Sequence, residues 1–135
     1  MVNPAATPSH AAPDGAPLLQ PGGHILVDAL LAHGSTSAVV FPTVHVGSTE
    51  ALLAGAHRRG MRLVTGKVLM DRHAPDNLRD DVAGAEADCR LLINRWHGRG
   101  RNLYAVTPRF AATSTPEQLA MAGRLLADHP GTYMQ

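Results

Sequence analysis

The sequence predicts an α/β fold built on a parallel sheet, and three observations carry that expectation. From His24 onward, helix-like apolar stripes alternate with short β-rich runs, the pattern of consecutive strand and helix units that feed a parallel sheet. The run Thr36-Ser37-Ala38-Val39-Val40-Phe41, closed by Pro42, suits a strand buried on both faces. With 135 residues, 44% hydrophobic and 17% charged, the chain has the apolar content of one globular domain.

Residues 1–23 hold Pro4, Pro8, Pro13, Pro17, Pro21 and several glycines and alanines, with no periodic apolar stripe to offset the entropy of ordering, and read as a disordered leader. The partner domain is 24–135. Its first helix is expected over Ile25–His33, with Ile25, Leu26, Ala29 and Leu30 on one face and Gly34 as its stop. After the first strand, Ser48 as cap and Glu50 near the positive end start a second helix, whose stripe is Leu52, Leu53 and Ala56 and whose end is Gly60. Met61–Thr65 is the second strand. A long connection, Lys67–Asp76, leads to a helix over Asn77–His97 that carries Leu91, Leu92 and Trp96. Leu103–Val106 is the third strand. Thr115 as cap, Pro116 at the first helical position and Gln118 three residues after the cap form a capping box. That helix continues through Leu119, Ala122, Leu125 and Leu126 to His129-Pro130-Gly131, and Thr132–Gln135 opens a fourth strand.

Parallel strands joined by crossover helices close either as a doubly wound sheet or as a (β/α)8 barrel of typically about 250 residues, of which this chain could supply about half. The doubly wound dinucleotide fold needs a Gly-x-Gly-x-x-Gly turn after its first strand, but Phe41-Pro42-Thr43-Val44-His45-Val46-Gly47 stands there. A free half-barrel exposes strand edges that invite pairing, so further segments or subunits are expected.

Twelve Lys and Arg against eleven Asp and Glu give a formal charge of +1, which argues for neither nucleic acid nor an acidic membrane as partner. Cys89 is the single cysteine and cannot form an internal disulfide. The apolar runs fall short of a bilayer span, and the N-terminus lacks the layout of a signal peptide, so a cytoplasmic setting is expected.

Three stretches carry the functional signal: Gly66-Lys67-Val68-Leu69-Met70-Asp71-Arg72, Arg95-Trp96-His97-Gly98-Arg99-Gly100-Arg101, and Tyr104-Ala105-Val106-Thr107-Pro108-Arg109-Phe110 running on to Ser114-Thr115-Pro116-Glu117. In this order and spacing, 24–135 resembles the guanine deaminases of the amidohydrolase superfamily. The resemblance implies a partial TIM (β/α)8 barrel of the metal-dependent hydrolase type, holding about the second to fifth strands. It also implies an enzyme that hydrolyses guanine to xanthine and ammonia with a zinc-activated water, and a possible homodimer. Such enzymes hold zinc with a His-x-His pair and with a histidine in a Thr-His-x-x-Glu run. Neither occurs here, so the chain is expected to be an internal fragment, inactive alone, with no metal ligand and no catalytic residue of its own.

The substrate-binding residues that the resemblance assigns are Arg109 and Phe110, at the carboxyl end of the third strand, where barrel enzymes build their sites. A guanidinium fork matches the adjacent O6 and N7 acceptors of guanine, and a phenyl ring offers an apolar wall. Without the resemblance, Arg109 reads as a loop arginine pairing a carboxylate, and Phe110 as core packing. The scattered histidines, His45 included, read as ordinary surface residues. Lys67 and Asp71, which also follow a strand at that face, read as structural loop ion-pair or hydrogen-bonding groups, with lining of the pocket as the lesser alternative, and Arg99 and Arg101 as complements to a helix C-terminus. Two other readings stay open: a non-catalytic α/β purine-binding or interaction module, and an amidohydrolase with another ring substrate.

Overall fold

In a computed structural model, residues 20–135 are described. Most of the expected leader therefore lies outside the described residues, and its last four positions are helical. The order is α1 (Gln20–Ala32), β1 (Ser37–Val40), α2 (Val46–Arg59), β2 (Arg62–Thr65), β3 (Val68–Leu69), α3 (Val82–Trp96), β4 (Asn102–Pro108), α4 (Pro116–Asp128) and β5 (Tyr133–Met134). Single 3-10 turns stand at Asp76–Leu78 and Ala111–Thr113.

All the strand pairs are parallel. β1 lies beside β2, β2 and β3 both lie beside β4, and β5 flanks β4 on its other side. The pairs Leu63↔Asn102 and Val68↔Thr107 share one offset, so β2 and β3 are two halves of a single strand position interrupted at Gly66-Lys67. Four strand positions thus follow chain order, each crossover carrying a helix, as in a wedge of a (β/α) barrel. At the interruption, the Lys67 N–H donates to the Tyr104 hydroxyl at 3.2 Å instead of to a β4 carbonyl.

The principal core lies between the sheet and its helices, and includes Leu53, Met61, Leu63, Leu92, Tyr104 and Leu125, all essentially inaccessible to solvent. A second, smaller core of Val44, Val68 and Met70, with Ala74 and Leu78 against it, stands at the carboxyl end of the sheet.

Several local expectations are corrected. Among the described residues α1 is helical from Gln20 onward, five residues before the expected start at Ile25. Its buried face is Gly23 and Val27 with Leu30 and Leu31, whereas Ile25 and Leu26 are exposed. Packing explains this: a Cβ on Gly23 would stand 2.8 Å from the Ala51 carbonyl carbon, so α1 approaches α2 along the row that starts at Gly23. Ser48 does not cap α2. That helix starts at Val46, Ser48 is buried in its first turn, and Glu50 forms an ion pair with Arg95 of α3.

α3 starts at Val82, not Asn77, since the Asp81 carboxylate accepts the Gly84 N–H at 2.8 Å and fixes the helix start there. Leu92 and Trp96 are buried, and Leu91 is exposed. The capping box at α4 is half formed. Thr115 Oγ1 accepts the Gln118 N–H at 3.2 Å, but the Thr115 N–H goes to Asp71 Oδ1 at 2.8 Å, so a carboxylate from another loop replaces the Gln118 side chain.

Candidate substrate site

The carboxyl ends of the strands gather the residues that can meet a ligand. Arg109 follows β4 directly. Its N–H donates to the Leu69 carbonyl at 3.1 Å, and its Nη1 lies 3.7 Å from Met70 Sδ. Two concavities flank the guanidinium. One, of about 370 Å³, is lined by Phe41, Thr43, Val44, Val68, Met70 and Arg109. The other, of about 230 Å³, is lined by Met70, His73, Leu78, Arg109 and Phe110 among others.

The carboxylate pairing expected of a loop arginine is not formed by Arg109. Arg59, Arg79, Arg90, Arg95 and Arg124 each hold a carboxylate, while Arg109, like Arg58, Arg62, Arg72, Arg99 and Arg101, has no ion pair among the described residues. Its fork is exposed and open to an incoming acceptor pair. Phe110 is 54% exposed and belongs to neither core, so core packing does not explain it.

Lys67 and Asp71 are held away from the concavities. The Lys67 side chain is 2% exposed, forms an ion pair with Asp80, and lies 3.9 Å from Asp88. Asp71 accepts both the N–H and the hydroxyl of Thr115. Arg101 donates to the Gly60 carbonyl at the end of α2, not of α3, and Arg99 stacks 5.1 Å from the Trp96 ring centre. Among the described residues, no three His, Cys, Asp or Glu side chains are grouped so as to hold a metal ion. Residue-type patterns give no signal for Met70, Leu78 and His73 as pocket walls.

The parallel sheet with crossover helices is a segment of a (β/α) barrel, with Arg109 at its carboxyl edge beside an apolar hollow. Residues 21–135 match the Amidohydrolase family, and the chain belongs to it. It is 50% identical over 108 residues to "Guanine deaminase" of Escherichia coli K12, a match that covers 80% of this chain and 25% of the relative. The solved structure of E. coli guanine deaminase superimposes with a TM-score of 0.84 at 46% identity, over 87% of this chain and 27% of that one. Guanine deaminase from C. acetobutylicum, solved with guanine bound in its active site, gives a TM-score of 0.74 at 26% identity, over 78% and 25%. The chain therefore spans about a quarter of the length of these relatives.

Proposed function

We propose that this chain supplies the guanine-recognising segment of a zinc-dependent guanine deaminase. The observation that carries the reading is the Arg109 fork, exposed beside an apolar hollow and paired with no carboxylate among the described residues. O6 and N7 of guanine are adjacent acceptors on one edge, and a planar guanidinium can donate to both at once. Phe110, on the same turn, lines the smaller hollow on the other flank of Arg109 and would offer its ring to a purine seated there. A hollow of this size lies at the lower end of the range for small-molecule sites.

The described residues do not fit a zinc site, so no chemical step is derived from them. What these side chains do is bind and orient the base. Any zinc of the proposed enzyme would be held by other residues of a complete barrel and would supply the activated water of the hydrolysis. The same proposal includes a cytoplasmic setting, a possible homodimer, and no guanine turnover by the 135-residue chain alone. No helix of the described residues is long and apolar enough to cross a membrane.

Calorimetric titration of the chain with guanine tests this. Binding is expected, and Arg109→Ala is expected to weaken it by about ten- to a hundredfold, the loss of one bidentate contact worth about 1–3 kcal/mol. Equal binding by Arg109→Ala, or no binding by the unmodified chain, overturns the reading. Guanine turnover by the isolated chain would overturn its inactivity.

A further inference from the structure

The connection after β3 is a closed loop with a built neck. Met70 and Asp80 exchange two hydrogen bonds: the Asp80 N–H donates to the Met70 carbonyl at 2.7 Å, and the Met70 N–H donates to Asp80 Oδ2 at 3.2 Å. The other Asp80 carboxylate oxygen takes the ammonium of Lys67, which is almost wholly buried. Between these ends, Ala74 and Leu78 fold back on the small core of Val44, Val68 and Met70. A compact loop with touching ends, packed by its own side chains, is the Ω type often used in sites.

This loop forms one wall around the arginine. Met70 and Leu78 line both hollows beside Arg109, and His73, held at φ 51°, lines the second. Met70 Sδ accepts from Arg109 Nη1, and the Leu69 carbonyl accepts the Arg109 N–H, so the arginine is held by the neck residue Met70 and the residue before it. Breaking a buried, hydrogen-bonded ion pair is costly, so the closed form of the loop is tied to this pair.

We infer that Lys67 and Asp80 are positioning residues for ligand recognition: their buried ion pair closes the 70–80 loop and, through Met70, sets the guanidinium of Arg109. The inference rests on the purine-site reading above, but half of its test does not need guanine. Asp80→Asn is the first variant, since Asp88, 3.9 Å from Lys67, can keep the ammonium partnered and the chain folded. Lys67→Met, which keeps the stem, is the second.

Amide hydrogen exchange and guanine calorimetry are measured on the full 135-residue chain and on both variants. Exchange at Met70, Asp80 and Arg109 is expected to speed by about tenfold or more, while Val64 and Leu63 in the sheet keep their protection. Guanine affinity is expected to fall by about tenfold with Arg109 itself unchanged. Faster exchange across the whole sheet in both variants would mean a merely structural ion pair and overturn the inference. Unchanged exchange at the three neck and arginine amides, or unchanged affinity alongside a loosened loop, would also overturn it. If the unmodified chain binds no guanine, the purine reading fails separately, and the exchange data still decide whether the neck holds Arg109.

Discussion

Replacing Gly66 with alanine is expected to be among the most damaging single-methyl additions to the sheet. The new Cβ would stand 1.7 Å from the Ala105 carbonyl oxygen, 2.8 Å from its carbon and 3.1 Å from Tyr104 Cε1. An ordinary carbon-to-oxygen contact is about 3.3 Å or longer, so β4 would have to retreat by about 1.5 Å. It is pinned on both sides of that point, by Thr65↔Tyr104 and by Val68↔Thr107, and the clashing atom is backbone rather than a side chain that can turn away. Overpacking costs about 1–3 kcal/mol where neighbours can adjust, and here the upper end or more applies. At about 4 °C or more per kcal/mol for a domain of this size, the melting temperature should fall by about 12 °C. Gly123→Ala is the matched control. Nothing lies within 4 Å of its added Cβ on the exposed face of α4, and it should stabilise by about 0.5–1 kcal/mol. Thermal and urea unfolding followed by circular dichroism read both. A Gly66→Ala chain within about 0.5 kcal/mol of the parent would refute the steric reasoning, since that is the scatter of ordinary surface substitutions.

The ion-pair cluster between α3 and α4 should show in acid. Arg90, foremost, and then Arg124 hold the Glu86 carboxyl below its ordinary range, and Arg90 does the same for Asp128. Because these folded values are depressed, their contribution is complete above the unfolded carboxylate range near pH 4 and is lost as pH falls through the folded values. Arg90→Ala should raise the Glu86 titration midpoint followed by carboxyl NMR, and an unmoved midpoint would refute the assignment. Burial pushes the Cys89 thiol up to about 11, so it should resist a disulfide reagent at neutral pH in the folded chain and react at once in denaturant. Rapid native labelling would show that α3 opens.

Much of the element order was legible because it depends on local patterning. The αL stop at Gly60, the Thr115-Pro116 start of α4 and the alternation of apolar runs with helical stripes act over a few residues, and each stands where expected. The placement of Arg109 just past the carboxyl end of a strand was legible too. Its lack of a carboxylate partner among the described residues was not, since that depends on where every acidic side chain finally lies.

What only the tertiary structure decided are the long-range exchanges of partner. Ser48, a plausible cap by sequence, is buried because α2 begins two residues earlier, and Asp71 takes the Thr115 N–H that a local box would assign to Gln118. Asp80, one acidic residue among several before α3, becomes the neck of a loop because β3 brings Lys67 and Met70 to it. Local signals fix backbone conformation at short range. Which buried charge meets which partner is set by strand pairing, which joins residues far apart in sequence and which no window of the chain contains.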